Sequence, residues 1–133
     1  MKNDPIIIID DDEDDRELFD MAFQTLNVPN KVIIFGDSTE AFEYLKNTDE
    51  KIFFILCDIN MPKLNGLELR QKINETESLR SKAIPFLFLS TSGDDNVVNT
   101  AFGLNIQGFF KKPSNIEHLK IILSSIITYW SNP

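Results

Sequence analysis

The sequence has little of several residue types that mark common classes of protein. Cys57 is the only cysteine and His118 the only histidine among 133 residues. A lone cysteine excludes an internal disulfide and is typical of a reducing cytoplasm, and we interpret Cys57 as a small buried hydrophobe. His118 falls on the surface of a predicted helix, so we expect no Ser-His or Cys-His nucleophilic pair. No apolar run approaches the roughly 18 residues of a membrane span, and no segment resembles a signal peptide, which favours a cytoplasmic location.

Basic residues are also scarce. The 13 lysines and arginines are outnumbered by 21 aspartates and glutamates, which gives a formal net charge of -8. This balance argues against a domain that holds nucleic acid or an anionic membrane by electrostatic attraction, and it makes a protein or a cation the expected partner. The sequence contains no evident linker, repeat or low-complexity segment. Length and composition therefore predict one domain over residues 1–133, with no output domain.

What the sequence does contain is a series of short apolar runs rich in β-branched and aromatic residues. Several runs are apolar at every position instead of every second one, which is typical of strands covered on both faces. The predicted strands are Ile6–Ile9, Val32–Phe35, 52–57, 86–89 and 109–110. The segments of helical period between and after them are residues 18–26, 41–45, 67–73, 97–102 and 116–126. Five strands alternating with five helices predict an α/β fold in which helices cover a parallel sheet.

Polar residues closely follow most of these predicted strands. Asp10 and Asp11 follow the first strand, Asp58 the third, Ser90 the fourth and Lys112 the fifth. In an open parallel sheet, ligands bind outside the carboxyl ends of the strands, near the point where strand order reverses. We therefore expect three carboxylates, a hydroxyl and an ammonium group to converge at one edge of the sheet.

The stretch "IIIIDDDEDD" places six carboxylates after the first strand. Carboxylates crowded at one point repel each other unless a divalent cation is present, and oxygen ligands of this kind suit Mg²⁺. A carboxylate beside such a cation can attack a phosphoryl group and form an aspartyl phosphate, and Asp58 is the natural nucleophile. The remaining carboxylates of the run, residues 12–15, are predicted to begin a helix, where negative charge complements the helix dipole.

Four fragments in this order, "IIIIDDDEDD", "CDINMPKLNG", "LSTS" and "GFFKKP", resemble the receiver domain of two-component response regulators. The resemblance covers essentially the whole chain. Within the family, the chain is most similar in type to the single-domain chemotaxis regulators. Each fragment alone is weak evidence for this family, whereas the four fragments in this order are specific to it. The resemblance implies a flavodoxin-like (βα)5 three-layer sandwich whose five-stranded parallel sheet has the order 2-1-3-4-5. It also implies a phosphoryl group received from a phosphohistidine of a sensor histidine kinase or a histidine phosphotransfer protein.

The resemblance assigns the chemistry to particular residues. Asp58 would be the phosphoacceptor, and Lys112 would contact the phosphoryl group. Asp10 and Asp11 would form the acidic pair, and Asn60 would offer its backbone carbonyl to Mg²⁺ or Mn²⁺ together with Asp58.

The resemblance also assigns the conformational switch. Ser90 would hydrogen-bond the phosphoryl group, which would draw in the loop after the fourth strand and leave space for the Phe109 ring. The expected output surface comprises the helix at 97–102, the last strand and the helix at 116–126, and it would bind an unidentified protein target or form a weak dimer. The expected structural residues are Met61, Pro62 and Gly66 in the loop after the acceptor, and Pro113, which would follow a cis peptide bond.

Two positions depart from the usual pattern of this family. Thr91 stands where a small residue usually follows the switch hydroxyl, and we expect its bulk to narrow access to Asp58. Asn105 stands where relatives commonly have glycine at the end of a helix, which is a mild change because asparagine tolerates the left-handed conformation.

Other functions fit the sequence less well. An FMN carrier of similar fold would need backbone amides and hydroxyls after its first strand, where six carboxylates would repel the phosphate. A phosphohydrolase of the haloacid dehalogenase type would need a second aspartate where Asn60 stands, and a substrate cap for which the chain is too short. An EF-hand beginning at Asp10 would need glycine at Asp15 and glutamate at Met21. We interpret the protein as a stand-alone receiver that turns over no external substrate, with a receiver-like interaction module that takes no phosphate as the alternative.

Overall fold

The computed structural model describes residues 3–91 and 94–131. Its strands are β1 (Ile6–Ile9), β2 (Val32–Phe35), β3 (Phe54–Cys57), β4 (Phe86–Ser90) and β5 (Gly108–Lys111). Its helices are α1 (Glu13–Leu26), α2 (Ser38–Asn47), α3 (Gly66–Glu75), α4 (Glu77–Arg80), α5 (Asp95–Phe102) and α6 (Ile116–Ser131). No helix within the described ranges is long and apolar enough to cross a membrane.

The five strands form one parallel sheet in the order β2-β1-β3-β4-β5. This is the flavodoxin-like arrangement, so the predicted fold class and strand order are confirmed. Ile9, the last residue of β1, is in register with Phe35 of β2 and with Cys57 of β3. Because these three strands end level with one another, the residues that follow them emerge at the same edge of the sheet.

Successive residues of β1 point to opposite faces of the sheet and enter separate cores. Ile6 and Ile8 pack in the core beneath α1 and α6, together with residues such as Phe23 and Leu123. Ile7 and Ile9 pack in the core on the other face, which is covered by α2, α3 and α5. All four isoleucines are fully buried, which is why the strand is apolar at every position.

Residues 3–91 and 94–131 contain one helix more than the five that the sequence predicts. The additional helix, α4, is a single turn of four residues between α3 and β4. Its only buried residue is Leu79. One apolar position establishes no helical period, so the sequence pattern gave no signal for this turn.

Candidate functional site

Three carboxylates meet at the carboxyl ends of β1 and β3. Asp10 and Asp11 follow β1, Asp58 follows β3, and each residue offers one oxygen that lies within 4.8 Å of the other two. Asp10 is 1% exposed and Asp58 8% exposed, and the Asp58 amide donates to the Ile9 carbonyl at 2.9 Å. Since hard oxygen ligands at this spacing suit a divalent cation with an oxygen shell, these residues could hold Mg²⁺ or Mn²⁺.

Burial shifts the protonation of these carboxyl groups. Loss of water raises the pKa of Asp58 to about 6, in spite of the opposing charge of Lys112, and the neighbouring Asp10 adds to the increase. Burial likewise raises the pKa of Asp10, while a hydrogen bond with Lys112 opposes the change. The site therefore holds carboxylates whose charged forms are poorly stabilised without a cation, and this fits a metal-binding role.

Lys112 reaches into this cluster from the end of β5. Its Nζ lies 2.7 Å from Asp15 Oδ2, 2.9 Å from Asp10 Oδ2 and 3.6 Å from Asp58 Oδ2. Burial alone would lower the pKa of Lys112, but hydrogen bonds with Asp15 and Asp10 outweigh it and raise the pKa above its ordinary value. The ammonium group is therefore held charged and close to the candidate nucleophile.

Asp15 is the residue of this site that the sequence analysis missed. The sequence placed it only in the first turn of a helix, and it does lie in the first turn of α1, where its amide donates to the Asp12 side chain at 3.1 Å. The contact with Lys112 joins residues 97 positions apart. No local sequence pattern indicates this contact, because it depends on where α1 lies relative to the end of β5.

The loop after β3 approaches Asp58 very closely. A Cβ atom at Gly66 would lie 2.3 Å from the Asp58 carbonyl oxygen and 2.9 Å from Ile59 Cα, so a side chain at this position has no space. The Gly66 amide donates to the Ile59 carbonyl at 2.8 Å, and Asn65 caps α3 in a capping box with Glu68. Glycine at this position lets α3 begin directly against the backbone of the candidate nucleophile.

An open cleft of about 620 Å³ leads to Asp58. Its lining residues are Asp11, Asp12, Glu13, Asp14, Asp15, Asp58, Asn60, Thr91 and Lys112. Thr91 is among these lining residues, and its effect on access to Asp58 stays a prediction. Asn60 and Pro62 are exposed in the loop after β3, and Met61 is buried beneath them.

Ser90 and Phe109 lie in β4 and β5, and neither lines this cleft. Ser90 is fully buried at the end of β4, and its carbonyl accepts a hydrogen bond from the Lys112 amide at 2.8 Å. Phe109 is half-buried, and its ring centroid lies 6.2 Å from that of Phe88. The structure thus joins Ser90 to the strand that carries Lys112 and places the Phe109 ring inward.

The prediction of a cis peptide bond before Pro113 is wrong for this structure. Every described peptide bond is trans, including the one between Lys112 and Pro113. A trans bond before proline is favoured by about 0.5–1 kcal/mol. Lys112 Nζ reaches Asp10 and Asp15 from this backbone, so no contact of the site depends on a cis bond.

Three smaller expectations are confirmed. Asn105 adopts the left-handed conformation after α5, with φ of 62°. Cys57 is fully buried inside β3, and burial raises the pKa of its thiol well above the ordinary value. His118 is exposed on α6 and does not line the cleft.

With this geometry established, comparison with known proteins identifies the family. The model of the response regulator receiver domain matches residues 6–124. The chain belongs to this family. Receiver domains are the signalling switches of two-component systems.

Several relatives show how far the similarity extends. The receiver is 29% identical to the probable methanogenesis regulatory protein FilR2 of Methanothrix harundinacea, over 94% of this chain and 82% of that protein. It is 26% identical to the response regulator Rcp1 of Synechocystis, over 94% of this chain and 87% of Rcp1. The crystal structure of the phosphorylated cyanobacterial phytochrome response regulator RcpA superposes with a TM-score of 0.84 at 26% identity, covering 98% of this chain and 95% of RcpA.

Proposed function

We propose that this receiver accepts a phosphoryl group on Asp58 from the phosphohistidine of a sensor histidine kinase or a histidine phosphotransfer protein. A carboxylate oxygen of Asp58 attacks the phosphorus atom, the bond from phosphorus to the histidine nitrogen breaks, and the imidazole leaves. The observation that carries the proposal is the convergence of three carboxylates within 4.8 Å, with Lys112 Nζ 3.6 Å from Asp58 Oδ2. This arrangement provides a nucleophile, a cation site and a positive charge in one open cleft.

The reaction is proposed to depend on Mg²⁺ or Mn²⁺ held by Asp10, Asp11, Asp58 and the backbone carbonyl of Asn60. The chemistry of the donor set supports this, and the related Rcp1 has a Mn²⁺-bound crystal structure. The cation supplies positive charge that offsets the charge on the transferring oxygens. Lys112 adds a second positive charge from the end of β5, and hydrogen bonds with Asp10 and Asp15 keep it protonated.

We propose that phosphorylation changes the surface formed by α5, β5 and α6. Ser90 would bind the phosphoryl group and the Phe109 ring would move inward further, which would shift the loop that precedes α5. The light anchoring of α5 supports this, because its only buried residue is Ala101. The partner on this surface would be a protein target, with no nucleic acid or membrane, and the receiver would be a monomer or a weak dimer through the same face.

The receiver is also proposed to act as a switch and to turn over no external substrate, in keeping with its membership of the response regulator family. We place it in the cytoplasm, since the buried free thiol of Cys57 suits a reducing compartment.

The test is the intact mass of the protein after incubation with Mg²⁺ and acetyl phosphate. We expect the wild type to gain one phosphoryl group, and we expect no gain for Asp58→Asn or in a sample with excess chelator. Asp14→Asn is a matched control, because Asp14 is an exposed carboxylate of the same cleft. A folded wild type that binds Mg²⁺ but gains no mass would leave two interpretations: an acceptor that only a kinase phosphorylates, with Thr91 restricting access, or an interaction module that takes no phosphate. The absence of a mass gain with a phosphorylated histidine phosphotransfer protein as well would reject the proposal.

A further inference from the structure

A second cavity lies at the amino end of the sheet, opposite the cleft that contains Asp58. It is bounded by the start of β3, the helices α3 and α4, and the segments that lead into β4 and β5. Its volume is about 440 Å³, within the range of small-molecule sites. The lining residues are Ile55, Arg70, Ile73, Asn74, Leu79, Arg80, Ala83, Ile84, Asn105 and Gln107. We call this space the Arg70–Arg80 cavity.

The charged residues that line the Arg70–Arg80 cavity are both arginines. No lining residue is acidic, although the protein as a whole carries a net charge of -8. Within the part of the chain that the structure describes, neither arginine has a carboxylate at ion-pairing distance. The cavity is therefore a locally positive site in an acidic protein.

Arg70 is buried, with 8% of its surface exposed. Its Nε donates to the Leu104 carbonyl at 3.1 Å, its Nη2 donates to the Asn105 carbonyl at 2.7 Å, and its guanidinium lies 5.1 Å from the centre of the Phe86 ring. Its Nη1 donates to none of the described residues and is not fully enclosed. The protein thus fixes this guanidinium in place and leaves one of its nitrogens available to a ligand.

Arg80 supplies a second guanidinium from α4. Its Nη1 donates to the Asn74 carbonyl at 2.9 Å, while the side chain of Asn74 donates to the Leu104 carbonyl at 2.9 Å, an acceptor that Arg70 shares. Arg80 is therefore linked through Asn74 to the backbone that Arg70 contacts directly, and both arginines line one space. The aliphatic side chains of Ile55, Ile73 and Ile84 form apolar walls beside them.

We propose that the Arg70–Arg80 cavity binds a small organic oxyanion, a carboxylate or a phosphate monoester carried on an aliphatic body. Guanidinium groups match the geometry of both oxyanions, because they donate paired hydrogen bonds to two oxygens. The apolar walls accommodate the aliphatic part of the ligand. Such a ligand would contact Asn105 in the segment between α5 and β5, two elements of the surface that we propose to change on phosphorylation.

The experiment is a titration of the full chain, without Mg²⁺, followed by the backbone amide shifts of Ile73, Asn74, Asn105 and Gln107 in two-dimensional NMR. The probes are hexanoate and hexyl phosphate, with hexanol as the uncharged analogue. We expect saturable shifts at these amides with at least one of the two anions, and at least tenfold weaker binding of hexanol. The anion that binds more tightly identifies the class of ligand.

Matched variants test the role of the guanidinium groups. Arg80→Gln removes the exposed cation that lines the cavity. Lys31→Gln removes an equally charged, exposed residue that lies outside the cavity. We expect Arg80→Gln to weaken binding about tenfold, as for the loss of one charge-assisted contact, and Lys31→Gln to leave it unchanged. The proposal is overturned if neither anion gives saturable shifts, if hexanol binds as tightly, or if the two variants bind alike. The result does not depend on phosphorylation of Asp58, which lies at the other end of the sheet.

Discussion

Buried charges of opposite sign lie at the two ends of the sheet, and they are stabilised in different ways. At the carboxyl end, Asp10 and Asp58 are negative groups close to each other, and Lys112 is the ammonium group shared among them. At the amino end, the positive Arg70 donates to backbone carbonyls and lies over the ring of Phe86. The first arrangement leaves carboxylates that need a further cation, whereas the second neutralises a buried charge with fixed dipoles. The carboxyl end should therefore respond to cations and pH, and the amino end should not.

The largest effect should come from steric disruption of the carboxyl end. Gly66→Ala places a Cβ 2.3 Å from the Asp58 carbonyl oxygen, so α3 or the acceptor loop must move. We expect a loss of about 3 kcal/mol in the free energy of unfolding, measured with urea, and slower phosphorylation. Gly103→Ala is the control, because Gly103 has φ of -62° and an added Cβ atom would lie 3.3 Å from its nearest neighbour, the Thr100 carbonyl oxygen. Similar stabilities for the two variants would show that α3 is not held against Asp58 as described.

Asp58→Asn should stabilise the cation-free protein near neutral pH. Burial raises the pKa of Asp58 from 3.8 to about 6, so between these values the folded protein retains a proton that the unfolded chain releases. The stability that this proton provides is complete below about pH 4 and is lost as the pH rises through 6. The difference between the two pKa values corresponds to at most about 3 kcal/mol.

Urea unfolding in chelator at pH 4.5 and pH 7 measures this effect. We expect the advantage of Asp58→Asn over the wild type to grow by about 2 kcal/mol between the two pH values. Added Mg²⁺ should then stabilise the wild type more than the variant. The same pH dependence in both proteins would mean that Asp58 is not responsible.

At the amino end, Arg70→Met tests stabilisation by carbonyl dipoles. The change removes the hydrogen bonds to Leu104 and Asn105 but keeps an apolar stem over Phe86. We expect a loss of about 2 kcal/mol in the free energy of unfolding, equal at pH 4.5 and pH 7 because no carboxylate faces this guanidinium among the described residues. Arg80→Gln, at an exposed position, should change stability by less than about 0.5 kcal/mol. A pH-dependent loss in Arg70→Met would reveal an acidic partner and remove the contrast between the two ends.

The sequence predicted the carboxyl end better than the amino end, for a physical reason. Asp10, Asp58 and Lys112 each follow a strand, and the carboxyl ends of parallel strands lie at one edge of the sheet, which brings such residues together. Arg70 lies inside a helix beside polar residues, and its acceptors are 34 and 35 positions away, so no local pattern shows that it points inward. The sequence was equally silent about Asp15, whose contact with Lys112 depends on where α1 begins and how a long side chain is oriented. The sequence pattern predicts which residues lie at the ends of strands, but it does not predict individual side-chain contacts between residues far apart in the chain.

Asp15→Asn should alter the carboxyl end without changing its metal ligands. Asp15 holds Lys112 Nζ at 2.7 Å, nearer than Asp58 at 3.6 Å, so its neutralisation should let the ammonium group move towards Asp58. We expect phosphorylation by acetyl phosphate to become a few times faster, measured as the rate of mass gain. Asp14→Asn removes the same charge from the cleft, but Asp14 makes no ion pair with Lys112. If both variants react at the same rate, the effect is one of overall charge and the contact with Asp15 is unimportant.

Thr91→Ala should have the smallest effect, because it changes access to the carboxyl end and leaves its charges in place. Thr91 lines the cleft that leads to Asp58. Removing its hydroxyl and methyl groups widens the route for the phosphodonor and for the water that hydrolyses the aspartyl phosphate, so both rates should rise by a similar factor of a few. Stability should change little, since the side chain is exposed. Rates equal to those of the wild type would show that Thr91 does not restrict the cleft, and a rise in only one rate would assign it a role in that step instead of in access.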